Sequence, residues 1–181
     1  MLSKEDDIMI YEDDLAIKYH LELKKGTDLF YCRASCLLTE EEAEDSLPQT
    51  EVGYATLCLF NPLATSMEAV VMYADGISEK VSSVCEELKY IHGIEDVFGL
   101  VAVCHELTVV EGKRGEGIGD AFTKKLIDEL KHLNVEILVM IPNYGSARSE
   151  SEVKRAQSYY RKNGFHRLKK NDDETALYSY L

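Results

Sequence analysis

The sequence of 181 residues has no apolar run near the ~20 residues that a membrane-spanning helix needs. Residues 1 to 14, MLSKEDDIMIYEDD, lack the basic and apolar blocks of a signal peptide. A cytoplasmic protein with no membrane partner is expected. Positive charge is scarce: 20 Lys and Arg stand against 33 Asp and Glu, a formal charge of −13. Phosphate backbones require a basic surface, so this balance argues against nonspecific nucleic-acid binding. It is compatible with a cationic substrate, and equally with acidity that serves only solubility. The five cysteines, Cys32, Cys36, Cys58, Cys85 and Cys104, are odd in number and contain no C-x-x-C pair. Neither a zinc site nor a redox motif is indicated, and reduced, mostly buried thiols are expected. His20, His92, His132 and His166 are scattered without metal-ligand spacing. Internal repeats and linkers are absent, which makes residues 1–181 a single domain.

Strand-like alternation marks 15–24 and 29–38, joined through a turn at Gly26, and a third strand at 52–60 closed by Asn61-Pro62. Between them lies an acidic stretch, with Glu40 to Asp45 read as a solvated loop rather than a polyamine clamp. Two helical pieces follow, 66–74 and 78–91. In the second, Val81, Val84, Cys85, Leu88 and Ile91 fall at helix spacing behind an N-cap at Ser78. Asp75 sits in the break between the two, where Asp-Gly is turn chemistry. Residues 97–110 are apolar at both parities, as in a strand buried on both faces. An amphipathic helix at 120–133 has Phe122, Leu126, Leu130 and Leu133 as its inner stripe. A buried strand at 135–142, a helix at 149–163 stopped by Gly164, and two closing strands complete the chain. This order defines an α/β domain with a central twisted sheet of about seven strands flanked by helices.

Three alternating glycines, Gly115, Gly117 and Gly119, follow a basic pair, Lys113 and Arg114, in VVEGKRGEGIGDAF, residues 109–122. The context is strand, glycine loop, helix. A helix N-terminus carries unpaired N–H groups and about half a positive charge, and glycines let the backbone approach a ligand, so the loop suits a phosphate. Two common templates fail. A Walker loop would need Lys where Ile118 stands, although Gly112 and Gly117 have the required gap. A dinucleotide fingerprint, G-x-G-x-x-G, does not match the spacing of Gly115, Gly117 and Gly119, with Ala121 a poor stand-in, and it would need an acid after the following strand, which ends VMIPN. The pattern [QR]-x-x-G-x-[GA] fits at Arg114, Gly117 and Gly119.

With the apolar positions Leu107 and Val109 before it, this block resembles the first signature of the GNAT superfamily of acyl-CoA-dependent N-acetyltransferases. AQSYYRKNGF resembles the second, a helix bearing Ala156 and Tyr160 that ends in Gly164-Phe165. The likeness covers roughly residues 100 to 166. It implies a GNAT fold with a mixed sheet. One departure is that the early helices fall between the third and fourth strands instead of after the first. Another is a long loop after Pro142 without the family's usual asparagine inside the last helix, a role open to Asn143.

The resemblance further implies acetyl-CoA as cofactor and transfer of an acetyl group to a primary amine by direct attack. An acyl-CoA-binding module without chemistry is the other reading it permits. It assigns pyrophosphate binding to backbone N–H groups around Arg114, Gly115, Gly117, Gly119 and Asp120, aided by the charges of Lys113 and Arg114. It assigns pairing with the pantetheine arm to Leu107–Val110, with a Val109 or Val110 N–H near the thioester oxygen. Tyr160 is the implied proton donor to the leaving thiolate, or else one of two packing aromatics with Tyr159. His105 and Glu106 interrupt an apolar strand and are candidate bases; structural roles for both stay open. His105 shares parity with Leu107 and Val109, whereas Glu106 faces away unless a bulge re-aims it. The acceptor is a small-molecule or protein amine, and the family's many dimers leave a homodimer open.

Overall fold

The computed structural model describes residues 14–39, 49–142, 149–168 and 176–181, without the side chains of 150, 152 and 153. Asn143 and the acidic run 40–45 lie outside these residues. The alternating segments form β1 (Leu15–Leu23) and β2 (Leu29–Thr39), and β3 spans Gln49–Phe60, beginning three residues earlier than its apolar pattern suggests. Two helices follow, α1 (Met67–Asp75) and α2 (Glu79–Glu87), then β4 (Leu100–Val109), α3 (Ile118–His132), β5 (Val135–Met140), α4 (Glu150–Lys162), β6 (His166–Arg167) and β7 (Leu177–Tyr180). The early helices do lie between the third and fourth strands.

All seven strands join one sheet in the order β1-β2-β3-β4-β5-β7-β6. β4 and β5 run parallel, connected through α3. The other neighbours are antiparallel. The sheet is mixed, as expected, with β4 at its centre.

Each face has its own core. On one, Cys32, Ala55, Leu57 and Cys104 pack with Phe122, Leu126 and Leu130 of α3 and Tyr160 of α4. On the other, Cys58, Phe60, Val101 and Val103 pack with Val70 of α1 and Val81, Val84 and Cys85 of α2. Fully burying a side chain such as Phe122 or Leu126 stabilises by about 1.5–3 kcal/mol. All five cysteines are free and buried. Burial pushes the Cys85 and Cys104 thiols up to about 12.

The helix N-termini differ. Ser66 Oγ accepts the Ala69 N–H at 3.2 Å, and Ser78 Oγ accepts the Val81 N–H at 3.2 Å. α3 instead begins at Gly117, φ 82°, with no side-chain cap. α4 stops in a Schellman turn: Phe165 N–H donates to Tyr160 O (3.1 Å) and Gly164 N–H to Arg161 O (3.2 Å), with Gly164 at φ 85°. The Phe165 and Tyr160 rings meet at 5.4 Å, the apolar contact that accompanies this motif. The Y-x-x-x-G-F block is thus a helix stop that pins the Tyr160 ring.

Candidate functional site

The sheet opens beside the carboxyl end of β4. Leu100 to Cys104 pair with β5, and the last bond on that side runs from Ile141 N–H to Cys104 O at 2.8 Å. Beyond it β4 stays with β3 as far as the bond from Val110 N–H to Val52 O, 2.9 Å. Hydrogen-bonded and non-bonded pairs alternate along an antiparallel ladder. Val109, one residue before the bonded Val110, therefore turns its N–H and C=O away from β3, and so does Leu107. Both face the gap between β4 and β5. A cavity of about 270 Å³ occupies this gap, lined by Leu107, Val109, Lys113, Arg114, Gly115, Gly119, Met140, Ile141, Pro142, Ala156 and Tyr160.

The glycine loop closes one end of the cavity. Gly115 and Gly117 hold φ of 92° and 82°, a left-handed backbone that other residues adopt only with strain. Nothing lies within 4 Å of where a Cβ on either would stand, so the space over the loop is open. The N–H groups of Gly115 to Gly119 find no partner among the described residues. Together with the uncapped start of α3 they form a cradle of donors with a positive dipole behind it.

Not every group named from the sequence is available. The Val110 N–H is taken by Val52, which leaves Val109 as the donor to the gap. The Arg114 N–H donates to Glu111 O (3.3 Å) and the Asp120 N–H to Gly117 O (3.0 Å), so neither joins the cradle. The Arg114 Nε–H donates to Val109 O at 3.1 Å, and Lys113 Nζ meets Glu116 at 3.4 Å. Both cations sit at the rim already engaged locally. The Asp120 carboxyl is held below its usual range, first by a hydrogen bond from the Tyr159 hydroxyl and then by Lys124. It braces α3 against α4. Tyr160 lines the cavity and is 7% exposed, edge-on to the Tyr159 ring at 5.3 Å.

The expected parity of His105 is overturned. Thr56 pairs with Glu106 and Leu57 with Cys104, so His105 is the extra residue of a β-bulge. The insertion resets the alternation. Leu107 and Val109 pack on the α3 face together with Cys104, while His105 and Glu106 both point to the α1–α2 face. There the Tyr54 hydroxyl donates to Glu106 Oε1 at 2.8 Å, the Thr56 hydroxyl to Oε2 at 3.5 Å, and Thr56 Oγ1 lies 3.4 Å from His105 Nδ1. His105 Nε2 is buried and has no hydrogen-bond partner among the described residues. Burial lowers the His105 pKa from its ordinary value, partly offset by the Glu106 charge, and so favours the neutral form of the ring. The bond to Glu106 raises the Tyr54 pKa and keeps that hydroxyl a donor. Tyr54 and Thr56 escaped the sequence reading. Their trace is a polar residue at alternate positions of an otherwise apolar β3.

Among the described residues no group of three or more His, Cys, Asp or Glu could hold a metal ion, and no helix is long and apolar enough to cross a membrane. No family model and no curated protein matches the chain. Solved structures do resemble it. AtaTR bound with acetyl-CoA is similar over 93% of this chain and 94% of that one, at 13% identity and a TM-score of 0.45. Tetrahymena GCN5 is similar over 82% and 68%, at 16% identity and 0.42. AtaT complexed with acetyl-methionyl-tRNAfMet is similar over 83% and 71%, at 16% identity and 0.43. These neighbours are GNAT acetyltransferases, the family that the glycine loop and the Tyr160 block resemble. At such identities and scores the chemistry has to be read from the residues of the site.

Proposed function

We propose that the chain is an acetyl-CoA-dependent N-acetyltransferase of the GNAT type, a single cytoplasmic domain acting on a small-molecule or protein amine. The observation that carries this reading is one groove on which two sets of backbone donors open. One set is the cradle of Gly115 to Gly119; the other is the unpaired edge of β4 at Leu107 and Val109. A long ligand with a phosphate at one end and amide groups along an arm would satisfy both. The residues therefore fit coenzyme A.

When bound, acetyl-CoA supplies an activated acyl group as a thioester. The glycine cradle would hold the pyrophosphate, with Lys113 and Arg114 at the rim. The Val109 N–H, unpaired on the gap side of β4, would polarise the acyl carbonyl. Tyr160, on the wall of the same groove, would donate a proton to the departing sulfur. His105, which has one unpartnered ring nitrogen on the α1–α2 face of β4, would accept the proton that the amine loses if the amine enters the gap from that face, opposite Leu107 and Val109. Glu106, fixed by Tyr54, would favour the resulting imidazolium. The −13 charge favours a cationic acceptor over a nucleic acid.

A thermal melt tests the cofactor. Acetyl-CoA at about 100 times its Kd should stabilise by about 2.7 kcal/mol. An unchanged melt at millimolar acetyl-CoA would overturn the reading. Thiol release with a panel of amines then separates an enzyme from a protein that only holds acyl-CoA.

A further inference from the structure

β1 is an edge strand, and its outer side meets no other strand among the described residues. Lys24 N–H donates to Leu29 O, and β1 pairs with β2 from Leu23↔Phe30 to Leu15↔Leu38. Alternation from that bond directs the backbone groups of Ile17, Tyr19, Leu21 and Leu23 outward. The same odd residues put their side chains on the α3 face. Leu21 and Leu23 there are 51% and 56% exposed, beside Phe30 at 37%. A long edge with an apolar face is what sheet proteins ordinarily blunt. Here only the even positions carry charge: Lys18 and Glu22, both exposed, on either side of His20.

We infer that β1 pairs with β1 of a second copy of this chain, antiparallel about a two-fold axis at His20, extending the sheet across the dimer. The register follows from charge. A two-fold arrangement matches odd residues with odd, as the outward backbone groups require. Centred on His20, it sets Lys18 opposite Glu22 of the second copy twice, in non-hydrogen-bonded pairs, where side chains come closest. It also sets Ile17 on Leu23 and Tyr19 on Leu21, covering the exposed leucines. Centring one residue earlier puts Lys18 opposite His20, and one residue later puts Lys18 opposite Lys24. Centring two residues away puts Lys18 or Glu22 opposite itself. Glu22 already holds Lys24 at 3.1 Å on its own strand, and a carboxylate accepts from two ammonium groups. The interface is isologous and closes on itself.

Sedimentation equilibrium of the full chain at low salt tests this. The wild type should dimerise. Lys18→Glu should weaken the dimer by about tenfold or more, because two attractive pairs become repulsive. Glu22→Lys should do the same, and the double exchange Lys18→Glu with Glu22→Lys should restore the wild-type constant. Leu21→Pro removes one outward N–H and no bond to β2, so it should abolish the dimer while the melt still shows a folded chain. A chain that stays monomeric, single exchanges without effect, or a double exchange that fails to restore association would each overturn the inference.

Discussion

The two halves of β4 are built for different ends. Val101, Ala102, Val103 and Cys104 are fully buried, lie between β3 and β5, and serve both cores. From His105 to Val109 the same strand is half-buried and bonded to β3 alone, and the bulge begins it. The first half spends its backbone on the sheet, and the second leaves backbone donors facing a groove. The helices repeat the contrast: serine closes the starts of α1 and α2, whereas Gly117 leaves α3 open. A backbone donor stays available to a ligand only where the fold does not consume it.

Breaking the closed half should have the largest effect. Val103→Asp buries a charge with no partner and should cost about 3 kcal/mol or more, read by urea denaturation. In the open half, Tyr160→Phe should lower turnover by about 100-fold, near 2.7 kcal/mol, while the acetyl-CoA melt shift survives. Gly119→Leu should do the reverse. A Cβ there meets only Val109 Cγ2, at an ordinary 3.6 Å, so the free protein should keep its stability. The side chain would stand in the groove and remove the ligand's stabilisation of about 2.7 kcal/mol.

The caps sharpen the comparison at smaller scale. Ser78→Ala should cost about 1 kcal/mol and leave the cofactor shift alone. Gly117→Ala should cost about 1–2 kcal/mol through its left-handed φ, and should also weaken acetyl-CoA binding. His105 carries the smallest expected effect. Its native pKa is lowered, so the unfolded chain binds the proton more readily. The stability it contributes is present above the unfolded value of about 6.5 and is lost as pH falls from there through the lowered native value. Denaturation midpoints at pH 8 and pH 5.5 should therefore differ less in His105→Gln than in the wild type.

The elements were legible because their signals are local. Alternation in LAIKYHLEL, helix spacing from Val81 to Cys85 and the glycine after Asn163 all report on neighbours a few residues away. Boundaries failed where polar residues join a strand, as at Gln49 to Glu51, because pairing with β2 rather than hydrophobicity decides that end. The glycine loop was legible as a turn with left-handed backbone because positive φ leaves a compositional trace. Which of its donors remain free was not legible, since Arg114 and Asp120 lose theirs to turn geometry.

By itself the sequence determined the strands and helices, the glycine loop before α3 and the helix stop that holds Tyr160. These depend on backbone conformations that residue types dictate locally. Only the tertiary structure decided that His105 is a bulge residue, that Glu106 and His105 share a face with Tyr54, and that Val109 offers its N–H to the gap while Val110 does not. Each of these depends on register between strands about 50 residues apart in the chain, Tyr54 and Glu106 for example being separated by 52. One unpaired residue in that register reverses every side chain beyond it.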